Sequence, residues 1–291
     1  MTAADPNAAP APGAETDAYV RAHYGYASWA LDHPEIGPIL HTAAAEGWDE
    51  ARLAGAIQAT AWWKSTSGTA RDWDALSATD PATAWQQIGV RLGEVQRAAA
   101  AAGITVRDDR ISEIVRDSLR FGWQADDITR ALWGEARYTP TLGGTAATTI
   151  TAIRSRAAEF GLPMTDREAF RWTVRIGTGL ATQDSLDADL RAQAKALFPA
   201  VAKQIADGAT VRDLAEPYLQ AAGALLEIDP ETIRLSDPKF IRPLQGDRQM
   251  SLSEWQRTLM TDRQYGWDRT ENAHRSALAL AQQLGSTFGM V

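Results

Sequence analysis

PEIGPILHTAAAEGWDEARLAGAIQATAWWKSTSGTARDWDAL, residues 34–76, decides how the chain is read. It holds Trp48, Trp62, Trp63 and Trp73, four of the eleven tryptophans, so aromatic packing is concentrated here. Pro34 suits a first helical turn, where its missing N–H costs nothing, and Glu35 then lies near the positive helix end. Gly47 takes a left-handed conformation cheaply and should stop that helix. Asp49 is placed to cap the next one. Leu53, Ala56, Ile57 and Thr60 fall on one face at 100° per residue. If this helix runs unbroken over 49–64, Trp63 lies about 80° from Leu53 and Trp62 roughly opposite it. The two indoles then cannot share one core. Trp62 is expected under a neighbouring loop or helix, or at a subunit contact, where tryptophan is enriched. Stacking on a sugar or nucleobase is a third use of such a ring.

The same punctuation continues outward, and it predicts an all-α protein. Helices are expected at 17–32, 34–46, 49–64, 69–77 and 81–102, with Asp80 as a cap. Ile111, Ile114, Val115 and Leu119 mark the next amphipathic helix, and another follows at 126–136. TPTLGGTAATT disfavours a helix and marks a linker at 139–145. Helices resume at 146–160, 166–178, 184–207 and 210–226, with a bend expected at Pro217. Thr165 with Glu168, and Ser251 with Glu254, have capping-box spacing. Prolines at 230, 238 and 243 interrupt 229–250, where a short hairpin pairing 233–235 with 240–244 is an option. The last helix should span 268–288. The expected organisation is a flexible tail over 1–15, a helical subdomain over 16–138, the linker, a second helical subdomain over 146–228, and an irregular C-terminal segment with terminal helices over 229–291.

Composition narrows the function. The 291 residues are 45% hydrophobic, enough for one large or two ordinary cores. A net charge of −8 argues against broad capture of DNA or of an anionic membrane. Arg116 and Arg120 form one i,i+4 basic pair, which is poor material for a nucleic-acid groove. There is no cysteine, which removes disulfides, thiolate metal sites and cysteine nucleophiles. The N-terminus has neither a basic start nor an apolar signal core. No run reaches the ~18 apolar residues of a membrane helix, so a soluble chain is expected.

No reaction centre is legible. His23, His33, His41 and His274 form no short zinc pattern and read as surface or capping residues. KSTSGTAR at 64–71 lacks the spacing of a phosphate loop. QQLGSTFG follows a helix and has the wrong spacing for a dinucleotide fingerprint. No serine-nucleophile motif occurs. No catalytic, cofactor-binding or metal-binding residue is therefore assigned. Were the chain an enzyme, a carboxylate-dependent glycosidase or lytic transglycosylase is the class to expect. Glu46, beside Gly47–Trp48, and Glu135, near Trp133, are its nearest candidates. Each needs an apolar pocket to serve as an acid.

Two passages resemble a known group. They are LDHPEIGPIL…GWDEARLAGAIQATAWWKSTSGTARDWDAL, followed by DPATA, and DPKFIRPLQGDRQMSLSEWQRTLMTDRQYGWDRTENAHRSALALAQQLGSTFG at 237–289. Together they resemble helical virion-associated proteins of tailed phages that infect actinobacteria, including minor tail, tape-measure-like and internal particle proteins. The resemblance implies a structural or assembly role in a virion put together in the host cytoplasm. Its partners would be other virion proteins, such as tail or portal components, with oligomerisation open. A true tape measure is a long rod rising ~1.5 Å per residue. A chain this short and this often broken by Gly and Pro should instead be compact. Trp62, Trp63 and Trp73 are the candidate protein contacts. A glycan-cleaving virion enzyme and a DNA-contacting head or portal accessory are the alternatives.

Overall fold

The computed structural model describes Ala18 and residues 28–287. The expected tail over 1–15, most of the first helix and Phe288 lie outside the described residues. Among the described residues every regular element is helical, as the all-α reading requires. The chain divides into two compact units. The first holds the described residues up to Ala101 and Thr105–Glu135; the second holds Ala102–Ile104 and everything from Ala136. The segment 139–145 lies inside the second unit.

The first unit opens with α1 (Ser28–Asp32), α2 (Ile36–Glu46) and α3 (Glu50–Ala59). Gly47 ends α2 at φ 65°, and its N–H bonds Ala43 O. Asp49 then caps α3 by accepting Arg52 N–H at 2.8 Å. Ala30, Ile36, Leu40, Ala43, Leu53 and Ile57 close into one buried cluster. The expected helix over 49–64 is in fact two, because α4 (Ala61–Ser65) starts afresh after Thr60. Next come α5 (Gly68–Thr79), α6 (Pro81–Ala102), α7 (Asp108–Arg120) and α8 (Ala125–Glu135). Ile111, Ile114 and Val115 of α7 are buried, as their spacing demands, as are Ile128, Leu132 and Trp133 of α8.

The second unit contains α9 (Gly144–Glu159), α10 (Asp166–Gly177) and α11 (Gln183–Leu197). It continues with α12 (Ala202–Ala206), α13 (Val211–Leu226), α14 (Pro238–Ile241), α15 (Leu252–Thr261) and α16 (Glu271–Thr287). Both expected capping boxes form, at Thr165–Glu168 and Ser251–Glu254. Pro217 sits inside α13. The single helix expected over 184–207 is interrupted: Phe198 takes φ −123°, ψ 67°, and Pro199 begins a 3-10 turn. The residue before a proline is driven out of the helical region, and that restriction overrides the alanine-rich flanks.

The hairpin considered between 233–235 and 240–244 is replaced by helical turns. Asp229 and Asp237 accept the N–H groups of Glu231 and Lys239, each at 3.0 Å. Pro230 and Pro238 then occupy the first helical positions. Aspartate–proline pairs start helical turns here because the cap is local and proline lacks only a donor that would be orphaned anyway. Leu235, Ile241 and Leu244 enter the core with Phe160, Phe198, Leu219 and fully buried Trp255. Arg156 of α9 clasps Asp187 of α11 through two bonds, Nε to Oδ1 at 2.9 Å and Nη2 to Oδ2 at 2.6 Å. That pairing holds the Asp187 carboxyl below its ordinary range and raises the Arg156 guanidinium.

Candidate functional site

The aromatic wall of the first unit is built by the break at Thr60. Its backbone is extended at ψ 154°, which stops α3. Its hydroxyl donates to Ile57 O at 2.6 Å and accepts Trp63 N–H at 3.1 Å, so one side chain ends α3 and caps α4. The restart re-aims both indoles. Trp62 lies 6.2 Å from Trp29 and 4.9 Å from His33 between ring centroids, and Trp63 lies 6.2 Å from Trp62. Both are half-buried and pack on the Leu40–Leu53–Ile57 cluster. The opposite-face geometry expected for a continuous helix is thereby corrected. Arg71 lies 3.7 Å over the Trp63 ring and donates to Trp63 O at 3.1 Å.

The loop before α2 ties this wall together. His33 Nδ1 accepts the N–H groups of Glu35 and Ile36, both at 3.3 Å, and so caps α2. Glu35 reaches across to accept Trp62 N–H at 3.1 Å. It thus serves the start of α4 rather than the helix beside it. The expectation of a capping role holds for His33.

Trp73 stands elsewhere, in an open trough between α5, α6 and α7. The trough is about 700 Å³. Trp73 and Asp74 line it from α5, Trp85 and Ile88 from α6, and Glu113, Arg116, Asp117 and Arg120 from α7. Trp85 is 70% exposed, the highest value for a described aromatic side chain among the exposed large hydrophobics. Val90, further along α6, is 66% exposed. Arg120 pairs with Asp74 at 2.9 Å, which joins α7 to α5 across the trough. Arg110 of α7 pairs with Glu113 and with Glu135 of α8, and its bond to Glu135 raises its guanidinium. Carboxylates and guanidinium groups are therefore interleaved around two indoles. Such a surface suits an amphipathic polypeptide better than a polyanion, which needs unopposed cations.

The two carboxylates considered as acids sit in other surroundings than that chemistry requires. Glu46 accepts from the Trp48 indole at 2.7 Å and from Arg52 at 3.1 Å, and its side chain is about half exposed. Glu135 is held by Arg110. Both are engaged by guanidinium groups, whereas an acid of this class needs an apolar pocket. Among the described residues no group of three or more His, Asp or Glu is arranged to hold a metal ion. No described helix is long and apolar enough to cross a membrane.

No family model matches the chain, and no curated protein or solved structure matches it either.

Of the three tryptophans selected from the sequence, the structure brings Trp62 and Trp63 together and puts Trp73 in the trough. Trp85 was missed. Its stretch PATAWQQIGVRLGEV puts buried Ala84 and Val95 on one face of α6, and Trp85 lies about 100° from Ala84 by helical geometry.

Proposed function

We propose that the chain is a structural or assembly component of a tailed-phage particle, a minor tail or internal protein that works through protein–protein contacts. The observation that carries the contact role is Trp85, largely exposed at the rim of a trough whose other indole is Trp73. Exposed aromatic surface with a polar rim marks interaction sites, because burying it against a partner recovers the hydrophobic free energy that folding leaves unused. The phage setting rests on the two sequence passages that resemble virion-associated proteins.

The glycan-cleaving alternative has less support, because Glu46 and Glu135 are ion-paired and partly solvated. The DNA-contacting alternative has least. Arg120 is committed to Asp74, and Glu113 and Asp117 share the trough with Arg116. The test is mass spectrometry of purified particles and assembly intermediates. The chain should appear in one or both at a reproducible copy number. Its absence from both would remove the proposal.

A further inference from the structure

Among the described residues the C-terminal helix α16 is held at its N-terminal end. Asn272 Nδ2 donates to Ala224 O at 2.8 Å, Glu227 accepts the first N–H groups of the helix, and Ala273 is buried. Beyond that root every described side chain from Ala277 to Thr287 is exposed. Leu278, Leu280 and Leu284 are 60%, 57% and 49% exposed.

Three properties say what covers this helix. First, Ala277, Leu280, Leu284 and Thr287 recur at intervals of three, four and three residues. That is the spacing of a seam that fits another helix by knobs into holes. Second, no charged side chain occurs from Ser276 to Val291, although the chain carries −8 overall. An uncharged strip on an acidic chain is where two copies meet without like-charge repulsion. Third, the polar face of the projecting turns is Ser and Gln rather than Lys and Arg. Helices that lie on membranes carry basic residues there.

We infer that α16 is a self-association helix, and that two copies of the chain pair antiparallel through Ala277, Leu280, Leu284 and Thr287. With Ala277 of one copy against Thr287 of the other, Leu280 faces Leu284 twice. The arrangement is isologous, as two-fold symmetry requires. The overlap is short, well under the ~1,600 Å² of a standard interface, so the pairing is weak and concentration-dependent. This pairing belongs to the isolated chain and does not depend on the phage reading.

The experiment is sedimentation equilibrium of the full chain across the micromolar range, with cysteine cross-linking beside it. The wild type should move from monomer to dimer with concentration. Leu280→Gln with Leu284→Gln should weaken dimerisation by at least ~100-fold, while Leu278→Gln, off the seam, should leave it unchanged. Unaltered circular dichroism above 270 nm would show that the body of the double variant is intact. Because the chain has no cysteine, Leu280→Cys and Leu284→Cys introduce single thiols. Oxidising a mixture should link one variant to the other in preference to itself. A monomer at all concentrations, a dimer that survives the double substitution, preferential self-linking, or binding to phosphatidylglycerol vesicles in place of dimerisation would each overturn the inference.

Discussion

The carboxylate of Glu227 accepts the main-chain N–H of Asn272 at 2.8 Å, so the residue that ends α13 also caps α16. It accepts the Glu271 N–H at 3.1 Å as well. Among the described residues Glu227 is the non-glycine residue with positive φ, at 60°. That conformation costs roughly 1 kcal/mol, and the two caps offset it. Glu227→Ala keeps the strain and removes both acceptors. It should cost about 1–2 kcal/mol and expose 271–287 to early proteolysis. Glu227→Gly, which relaxes the backbone, should cost less. Limited proteolysis with urea unfolding of the three chains checks the order.

The tryptophans should separate into two energetic classes. Trp255 is fully buried, and its Nε1 donates to Tyr218 O at 2.9 Å. The Tyr218 hydroxyl in turn donates to Met250 O at 2.5 Å. Trp255→Ala leaves a large cavity and should cost about 3–5 kcal/mol. Trp85→Ala removes a ring that touches mostly solvent and should shift stability by no more than about 0.5 kcal/mol. Equal losses in urea unfolding would mean that Trp85 is a folding residue and not a contact.

Acid should act on the second capping box in a defined window. Arg248 Nη1 and Nη2 bind the Glu254 carboxylate at 3.0 and 2.6 Å, and Ser251 N–H and Oγ add two more bonds. Arg248 first, then Ser251, hold its pKa down from the ordinary 4.5 to about 2. A depressed carboxyl stabilises the fold above its unfolded value and loses that contribution as pH falls through its folded value. The cap's contribution to stability should therefore be full above pH 5 and be lost progressively between about 4.5 and about 2. Carboxyl NMR should show Glu254 titrating near the lower limit, and Arg248→Ala should move it back towards its ordinary value.

The sequence was most informative where the physics is local. Thr165–Glu168 and Ser251–Glu254 needed only a hydroxyl, a carboxylate and three residues between them. Gly47 needed only its own freedom at positive φ. The break at Thr60 was hidden because no Gly or Pro marks it. Threonine caps a helix or continues one according to where its hydroxyl finds partners, here Ile57 O and Trp63 N–H. The turns at 229–244 were misread because Asp–Pro pairs suit both loops and helix starts. The exposure of Trp85 depends on what packs beside α6, and no window along the chain contains that information.

A glycan-cleaving activity makes a separate forecast. Zymography on actinobacterial wall material at several pH values should show no clearing by the wild type. Clearing that Glu46→Gln or Glu135→Gln abolishes would move the function from the contact surface to a carboxylate.

The most direct measurement is the copy number of the chain in purified particles, wild type against Trp73→Ala with Trp85→Ala, by quantitative mass spectrometry. The contact account predicts a fixed wild-type copy number and a loss of at least ~10-fold in the double variant, because exposed aromatic anchors dominate association. The variant should still fold. Equal incorporation of both chains, or of neither, would contradict it.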